Sequence, residues 1–366
     1  MKFSCAKKDL LNLLSKVSKA LAVKPMSPIL AGFYLNVFND VLEVQANNYS
    51  LGMAGQLPVN LQDEGGEIAV IGKKFLEVVK AMPDDVILIS QNDNYLEICS
   101  GPSNYSVATY AAADFPKVTT PDTSNHFKIN ASALKSAVKR TAFACSNDEG
   151  HPLYTGCLFD IADSKITIAA TDMHRLAVVQ DTFLNAAAPL KIIIPASALN
   201  VIADMLPEDD AEIGIDYDAK SISFTIDGFF IKARLLEGNF PDYNRVIPAE
   251  TKITSELLTD EFKNAVERLA IIAKDSQDKK IYFEFSKDRV KISAYSAQFG
   301  NGEEFVHAEV EGGELDIAFN CYYFTDVLKV IQSGTFKFYL NGAYEPAIIR
   351  EYGNENYVYV VTPLRA

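Results

Sequence analysis

Several signatures that would mark this chain as an enzyme or a membrane protein are missing. No stretch approaches the roughly 20 apolar residues that a membrane span needs. The opening Met1-Lys2-Phe3-Ser4 enters a patterned segment at once, which leaves no room for a signal peptide. The five cysteines (Cys5, Cys99, Cys145, Cys157, Cys321) are odd in number and scattered, with no CxxC and no Cys/His metal spacing. They read as reduced core thiols of a cytosolic protein. Ile71-Gly72-Lys73-Lys74 lacks both the upstream glycine and the hydroxyl residue of a phosphate-binding loop. There is no GxSxG elbow and no HExxH. Thr171-Asp172-Met173-His174-Arg175-Leu176 is the one cluster with a catalytic look, but Asp172 and His174, two apart, point to opposite faces of an extended chain. A binding pocket or a hydrogen-bonded corner is the better expectation there, and no catalytic or metal-ligating residue is assigned.

What the chain does contain is the same text three times. Short amphipathic helix patterns centred on Leu10, Leu134 and Phe262 lie 124 and 128 residues apart, each after an alternating apolar start. A second helix recurs on that period. It follows Ile68-Ala69-Val70-Ile71, Lys191-Ile192-Ile193-Ile194 and Leu315-Asp316-Ile317-Ala318. Met82-Pro83-Asp84-Asp85 and Leu206-Pro207-Glu208-Asp209 close the first two copies of it alike. A period near 120 residues is a whole domain rather than a solenoid unit. The 366 residues therefore divide into 1–121, 122–248 and 249–366. Period-two runs such as Ile166-Thr167-Ile168-Ala169 and Ile281-Tyr282-Phe283-Glu284-Phe285, bounded by turn pairs, predict antiparallel hairpins. The fold class is α+β: three tandem domains, each with two helices and two small antiparallel sheets.

Charge is partitioned along the same lines. The whole chain carries −14, yet the six helical segments sum to +8 and leave −22 for everything else. Lysines concentrate in residues 7–24, 73–80 and 131–144. With helices on a common side, three domains in a row form an arc with a basic inner face and an acidic, sheet-covered outer face. Such an arc ends or closes head to tail into a ring. On the helix that begins near Phe262, Ile271 and Ile272 lie off the apolar stripe of Phe262, Val266, Leu269 and Ala273, as interface residues do.

Three such repeats, the TDMHRL hexapeptide at 171–176, Glu237-Gly238-Asn239-Phe240-Pro241-Asp242-Tyr243-Asn244-Arg245-Val246-Ile247-Pro248, and the tail Tyr359-Val360-Val361-Thr362-Pro363-Leu364-Arg365-Ala366 together resemble the bacterial sliding-clamp family, the beta subunits of DNA polymerase III. The likeness runs from end to end. It implies three DNA-clamp domains per chain, a head-to-tail homodimeric ring around double-stranded DNA, no catalysis, no cofactor and a cytoplasmic location. The implied partners are the polymerase catalytic subunit, the clamp loader, and other polymerases and repair proteins that dock short linear motifs.

The resemblance also implies site residues. The partner pocket between the second and third domains would comprise Tyr154, Thr171, His174, Arg175, Leu176, Pro241, Arg245, Val246, Tyr323, Tyr344, Pro346, Val360, Pro363, Leu364 and Arg365. Here Thr362 and Ala366 stand in place of bulkier apolar tail residues. Lys24, Lys73, Lys139 and Arg140 would face DNA. Asn147-Asp148-Glu149 replaces a polar DNA-touching loop. Lys74, Tyr105 and Val107 would meet Ile271 and Ile272 across the subunit contact. A peptide-binding scaffold that does not encircle DNA is the alternative reading.

Overall fold

The computed structural model describes residues 1–83, 85–120, 125–163, 165–182 and 189–365. Among the described residues, six α-helices alternate with the strands: α1 (Lys7–Val17), α2 (Gly72–Ala81), α3 (Ala131–Thr141), α4 (Ala196–Met205), α5 (Thr259–Ala273) and α6 (Cys321–Val327). Each buries one stripe. In α1 this is Leu10, Leu13, Leu14 and Val17, the i, i+3, i+4, i+7 spacing that one helix face requires. Side-chain caps are absent from α1, α2 and α5. Instead, the starts of α1, α3 and α5 are closed by backbone bonds to equivalent loops. Lys7 N–H donates to Asp85 O at 2.7 Å, Ala131 to Ala211 at 2.9 Å and Thr259 to Gly334 at 2.9 Å. The triplicate text thus recurs as a triplicate way of satisfying orphaned helix donors.

Each repeat contributes eight strands in two antiparallel sheets of four. One sheet runs fifth-second-third-fourth and the other first-sixth-seventh-eighth. The extra strand Asn60–Leu61 sits outside this scheme. The sheets do not stay separate. The eighth strand of repeat two, Phe229–Arg234, pairs with the fourth strand of repeat one, Leu51–Pro58, setting Ile231 opposite Met53. The eighth strand of repeat three, Tyr357–Val361, pairs with the fourth of repeat two, Arg175–Thr182, setting Tyr359 opposite Ala177. The result is one 13-stranded and one 12-stranded sheet.

Compactness follows these joints rather than the sequence period. One unit holds Met1–Ser132 with Asp204–Leu235, and the other holds Ala133–Ala203 with Leu236–Ala366. The middle repeat is shared between them. The 121/122 boundary lies outside the described residues.

Core chemistry differs between the units. The second is packed with phenylalanine: Phe262, Phe283, Phe319, Phe324, Phe336 and Phe338 interlock with ring centroids 4.9–6.3 Å apart. In the first repeat Leu10 and Ile89 stand at the positions of Phe262 and Phe338, beside the buried pair Phe33 and Phe75. The cysteines are free thiols, four of them buried. Burial pushes Cys5 up to about 12, so it is inert. Among the described residues, no helix is long and apolar enough to cross a membrane.

Candidate functional site

The second unit contains a cavity of about 530 Å³ built from three stretches of chain. Its first wall is the turn at 171–176. Asp172 Oδ1 accepts from the backbone N–H groups of His174 and Arg175, both at 3.0 Å, and Thr171 Oγ1 donates to Arg175 O at 2.6 Å. These bonds force Met173 into the left-handed region at φ 75°, which throws its side chain out over the cavity. The second wall is Phe240, Pro241, Asp242, Tyr243, Arg245, Val246 and Pro248, ending in the single turn Tyr243–Val246. The third comprises Pro346, Val360 and Thr362, with Tyr154 at the margin. The floor is continuous with the core, because Leu176, Phe240 and Val360 belong to the same buried cluster as Leu158, Ile193 and Ile348.

Arg175 holds this frame together. Its Nε donates to Asp172 at 3.0 Å, and its two terminal nitrogens donate to Asp326 at 2.8 Å and Phe143 O at 2.7 Å. The guanidinium lies over the Tyr323 and Phe143 rings. Its hydrogen bonds thus brace three segments of its own chain at the cavity wall. The His174 ring is exposed and stacks on Tyr323, with centroids 6.4 Å apart. Its carbonyl accepts both the backbone N–H and the hydroxyl of Thr362. Asp172 and His174 are thus corner residues, as their spacing suggested.

The structure brings ten of the fifteen expected pocket residues to the cavity wall: Tyr154, Thr171, His174, Arg175, Leu176, Pro241, Arg245, Val246, Pro346 and Val360. Tyr323 lies behind Arg175 rather than in the wall. Tyr344 is exposed outside it. Pro363, Leu364 and Arg365 leave the lining because Leu364 N–H turns away to Ala318 O at 2.7 Å. Ala366 lies outside the described residues. Met173, Phe240, Asp242, Tyr243 and Pro248 line the cavity without having been assigned to it, and Thr362, noted in the sequence only as a replaced tail residue, joins them. The signal for four of them was present in the 237–248 segment, while Met173 depends on a backbone angle.

A second cleft, of about 350 Å³, occupies the matching place in the first unit. An offset of 124 residues carries Asn47, Tyr49, Gly52, Lys117, Val118 and Thr119 onto Thr171, Met173, Leu176, Pro241, Asp242 and Tyr243. An offset of 128 carries Lys232 and Arg234 onto Val360 and Thr362.

Three family models cover almost the whole chain: DNA polymerase III beta subunit N-terminal domain over residues 1–119, central domain over 128–242, and C-terminal domain over 244–365. A crystal structure of a sliding clamp (DNA polymerase III subunit beta) from Pseudomonas aeruginosa bound to griselimycin is 30% identical, with a TM-score of 0.90 and 100% of both chains covered. The chain belongs to this family. Other relatives of the clamp family agree over their full length. The Beta sliding clamp of Vibrio cholerae is 26% identical over 100% of both chains. The sliding clamp structure from Bacillus subtilis, at 25% identity and TM-score 0.93, covers 100% of this chain and 99% of its own.

The positions that the clamp resemblance assigned to DNA and to the subunit contact separate in the structure. Lys24, Lys73 and Lys139 are exposed. Arg140 is not, and its assignment to DNA is corrected. It is buried, donates to Glu351 at 2.7 Å and lies over the Tyr357 ring. Burial alone would raise the Glu351 carboxyl. Hydrogen bonds from Arg140, Asn354 and the N–H groups of Gln332 and Ser333 outweigh burial and hold it below its ordinary 4.5. For the subunit contact, Ile271 is 71% exposed, Tyr105 is 51% exposed, and Lys74 is exposed and paired with Glu77. Ile272 is half-buried, and Val107 is buried within its own unit.

Proposed function

We propose that this chain is a bacterial sliding clamp. It closes as a head-to-tail homodimer, encircles duplex DNA without reading sequence, and tethers the DNA polymerase III catalytic subunit for processive synthesis. The repeats 1–121, 122–248 and 249–366 are its six-domain ring in halves. The clamp loader, other polymerases and repair proteins share the 530 Å³ cavity through short linear motifs with apolar anchors. The protein is non-catalytic, needs no cofactor and works in the cytoplasm.

The strand hand-over carries this reading. At both internal joints an eighth strand lies on the fourth strand of the preceding repeat. The eighth strand of repeat one, Ser103–Tyr110, and the fourth of repeat three, Gly300–Glu311, are left over. Among the described residues, positions 103–107 and 300–307 have no partner on that edge. Tyr105 occupies the register of Ile231 and Tyr359, each fully buried at its joint, and Gly302 that of Met53 and Ala177. Two copies pair both of these open edges at once, Tyr105 of one facing Gly302 of the other. Ile272 already covers Gly302: a Cβ there would lie 3.2 Å from its Cδ1.

Exposed Lys24, Lys73 and Lys139 supply the weak phosphate contacts that sliding tolerates, because topology rather than affinity retains the ring. The test is to load the protein with a clamp loader on nicked circular DNA and then linearise the DNA. A clamp is lost from the cut ends. Retention on linear DNA, or no loading at all, would refute the reading and favour the scaffold.

A further inference from the structure

We propose that the 350 Å³ cleft of the first unit is a binding site for single-stranded nucleic acid, separate from the linear-motif cavity. The starting point is a duplicated scaffold with inverted chemistry. The asparagine of the first corner works as the aspartate of the second does: Asn48 Oδ1 accepts from the N–H groups of Ser50 and Leu51, and Tyr49 is left-handed at φ 69°. A non-glycine residue held there is strained, so the side chain that it aims outward is one the site keeps. At the second corner that side chain is Met173, over an apolar cavity. At the first it is a tyrosine, more than half exposed and lining the cleft.

The rest of the cleft is cationic in a chain of net charge −14. Lys220, Lys232 and Arg234 line it beside Lys117 and Asp218. Lys117 is neutralised by Glu67 at 2.8 Å, and Asp218 is engaged by Ser221 and the Lys220 N–H. Lys232 is steered by a bond from Nζ to Thr119 O at 3.1 Å, and its charge also acts on the nearby Asp218 carboxylate, whose oxygens are taken up by hydrogen bonds from Lys220 and Ser221. Lys232 and Arg234 stand two apart on one strand, about 7 Å in rise, a spacing that suits successive phosphates.

Ammonium groups tracking a backbone beside an exposed ring form the arrangement that binds unpaired bases: phosphate on the cations, a base on the aromatic face. A carboxylate-rich peptide would use the same lysines but leave the Tyr49 face idle. A duplex keeps its bases stacked inside and cannot offer one.

The test measures anisotropy of fluorescein-labelled oligothymidylate, about eight nucleotides long, on the purified full-length protein. Binding is expected to weaken with salt at a log–log slope of about −2. Lys220→Gln with Lys232→Gln weakens it about tenfold or more and flattens that slope. Tyr49→Ala weakens it about tenfold, whereas Tyr49→Phe retains it. Lys165→Gln with Lys287→Gln, two exposed lysines elsewhere, leaves it unchanged, and each variant keeps linear-motif binding at the other cavity. Three results overturn the proposal. One is affinity insensitive to the cleft lysines; another is affinity lost only on changing Lys73 and Lys139. The third is an oligoglutamate peptide that binds the cleft equally well in wild type and Tyr49→Ala, which would make it an acidic-peptide site.

Discussion

At the first internal joint the residue opposite Gly52 is Lys232; at the second the residue opposite Leu176 is Val360. The backbones around these pairs are alike down to a left-handed residue three positions before each. What divides them is which side chain fills the space. Val118 presses on Gly52, where a Cβ would come within 2.9 Å of its methyl, so position 52 contributes no side chain to the floor of the first joint. Asp242, the counterpart of Val118, stays at the rim, and Leu176 is free to form a floor. One scaffold thus gives an apolar slot or a cationic cleft depending on a few positions. The ion pairs behind the joints diverge as well. Arg140 and Glu351 are buried, whereas their counterpart Lys16 is partly exposed and 3.8 Å from Asp227.

The largest expected effect comes from the third joint, the one that needs a second copy. Ile271→Ala with Ile272→Ala should give monomers by sedimentation velocity, while Lys16→Ala at an internal joint leaves the dimer whole. An intact dimer in the first variant would show that the open edges do not meet through that helix.

Next in size are the buried and exposed ion pairs. Arg140→Ala strands Glu351 beneath the sheet and should destabilise the second unit by about 3–5 kcal/mol. Lys16→Ala should cost the first unit below about 1 kcal/mol. Hydrogen exchange resolved by unit measures both, and equal losses would mean that burial does not separate the joints. The same pair sets an acid response. Because the folded Glu351 carboxyl is held below its unfolded value, its contribution is present above about pH 4.5. It is lost as pH falls through the folded value. Glu351→Gln should remove that part of the acid sensitivity of the second unit, read as a flatter melting temperature against pH below 4.5.

Transplanting residues between joints tests the cavity. Val360→Lys with Thr362→Arg imports the first joint's cations and should weaken linear-motif binding by about 30-fold or more, a loss of about 2 kcal/mol. Fluorescence polarisation of a labelled motif peptide reads it, with the dimer unaffected.

The periodic text carried the repeats, helices and hairpins because they depend on local alternation of apolar residues, which period counting reads directly. The fusion of sheets across repeats left no such trace. It is made by strands 120 or more residues apart, and nothing in Phe229–Arg234 alone names Leu51–Pro58 as its partner. The pocket was legible where residues act through bulk, as with Leu176, Pro241 and Val360. The DNA-facing set misled at Arg140, where charge suggested exposure. Arg175 and Arg140 are both arginines on patterned elements, and only the positions of Asp326 and Glu351 reveal them as internal braces. The tail misled for a related reason: Leu364 turns out of the cavity through a backbone bond to Ala318 that no composition signals.

The smallest effect separates stability from function at the two corners. Tyr49 and Met173 hold φ at 69° and 75°, where a Cβ crowds the backbone and glycine does not. Replacing either by glycine removes strain of about 1–3 kcal/mol and adds chain entropy to the unfolded state, costing about 0.5–1 kcal/mol in return. Tyr49→Gly and Met173→Gly should therefore each leave stability unchanged or raise it, by about 0–2.5 kcal/mol, in thermal melts. Met173→Gly should at the same time weaken motif peptides, because the cavity loses the wall that the strained turn projects. Corners kept only for folding would have no reason to hold a tyrosine and a methionine at such angles. If Met173→Gly lowers stability and leaves peptide affinity intact, the turn is an architectural feature and the strain serves no ligand.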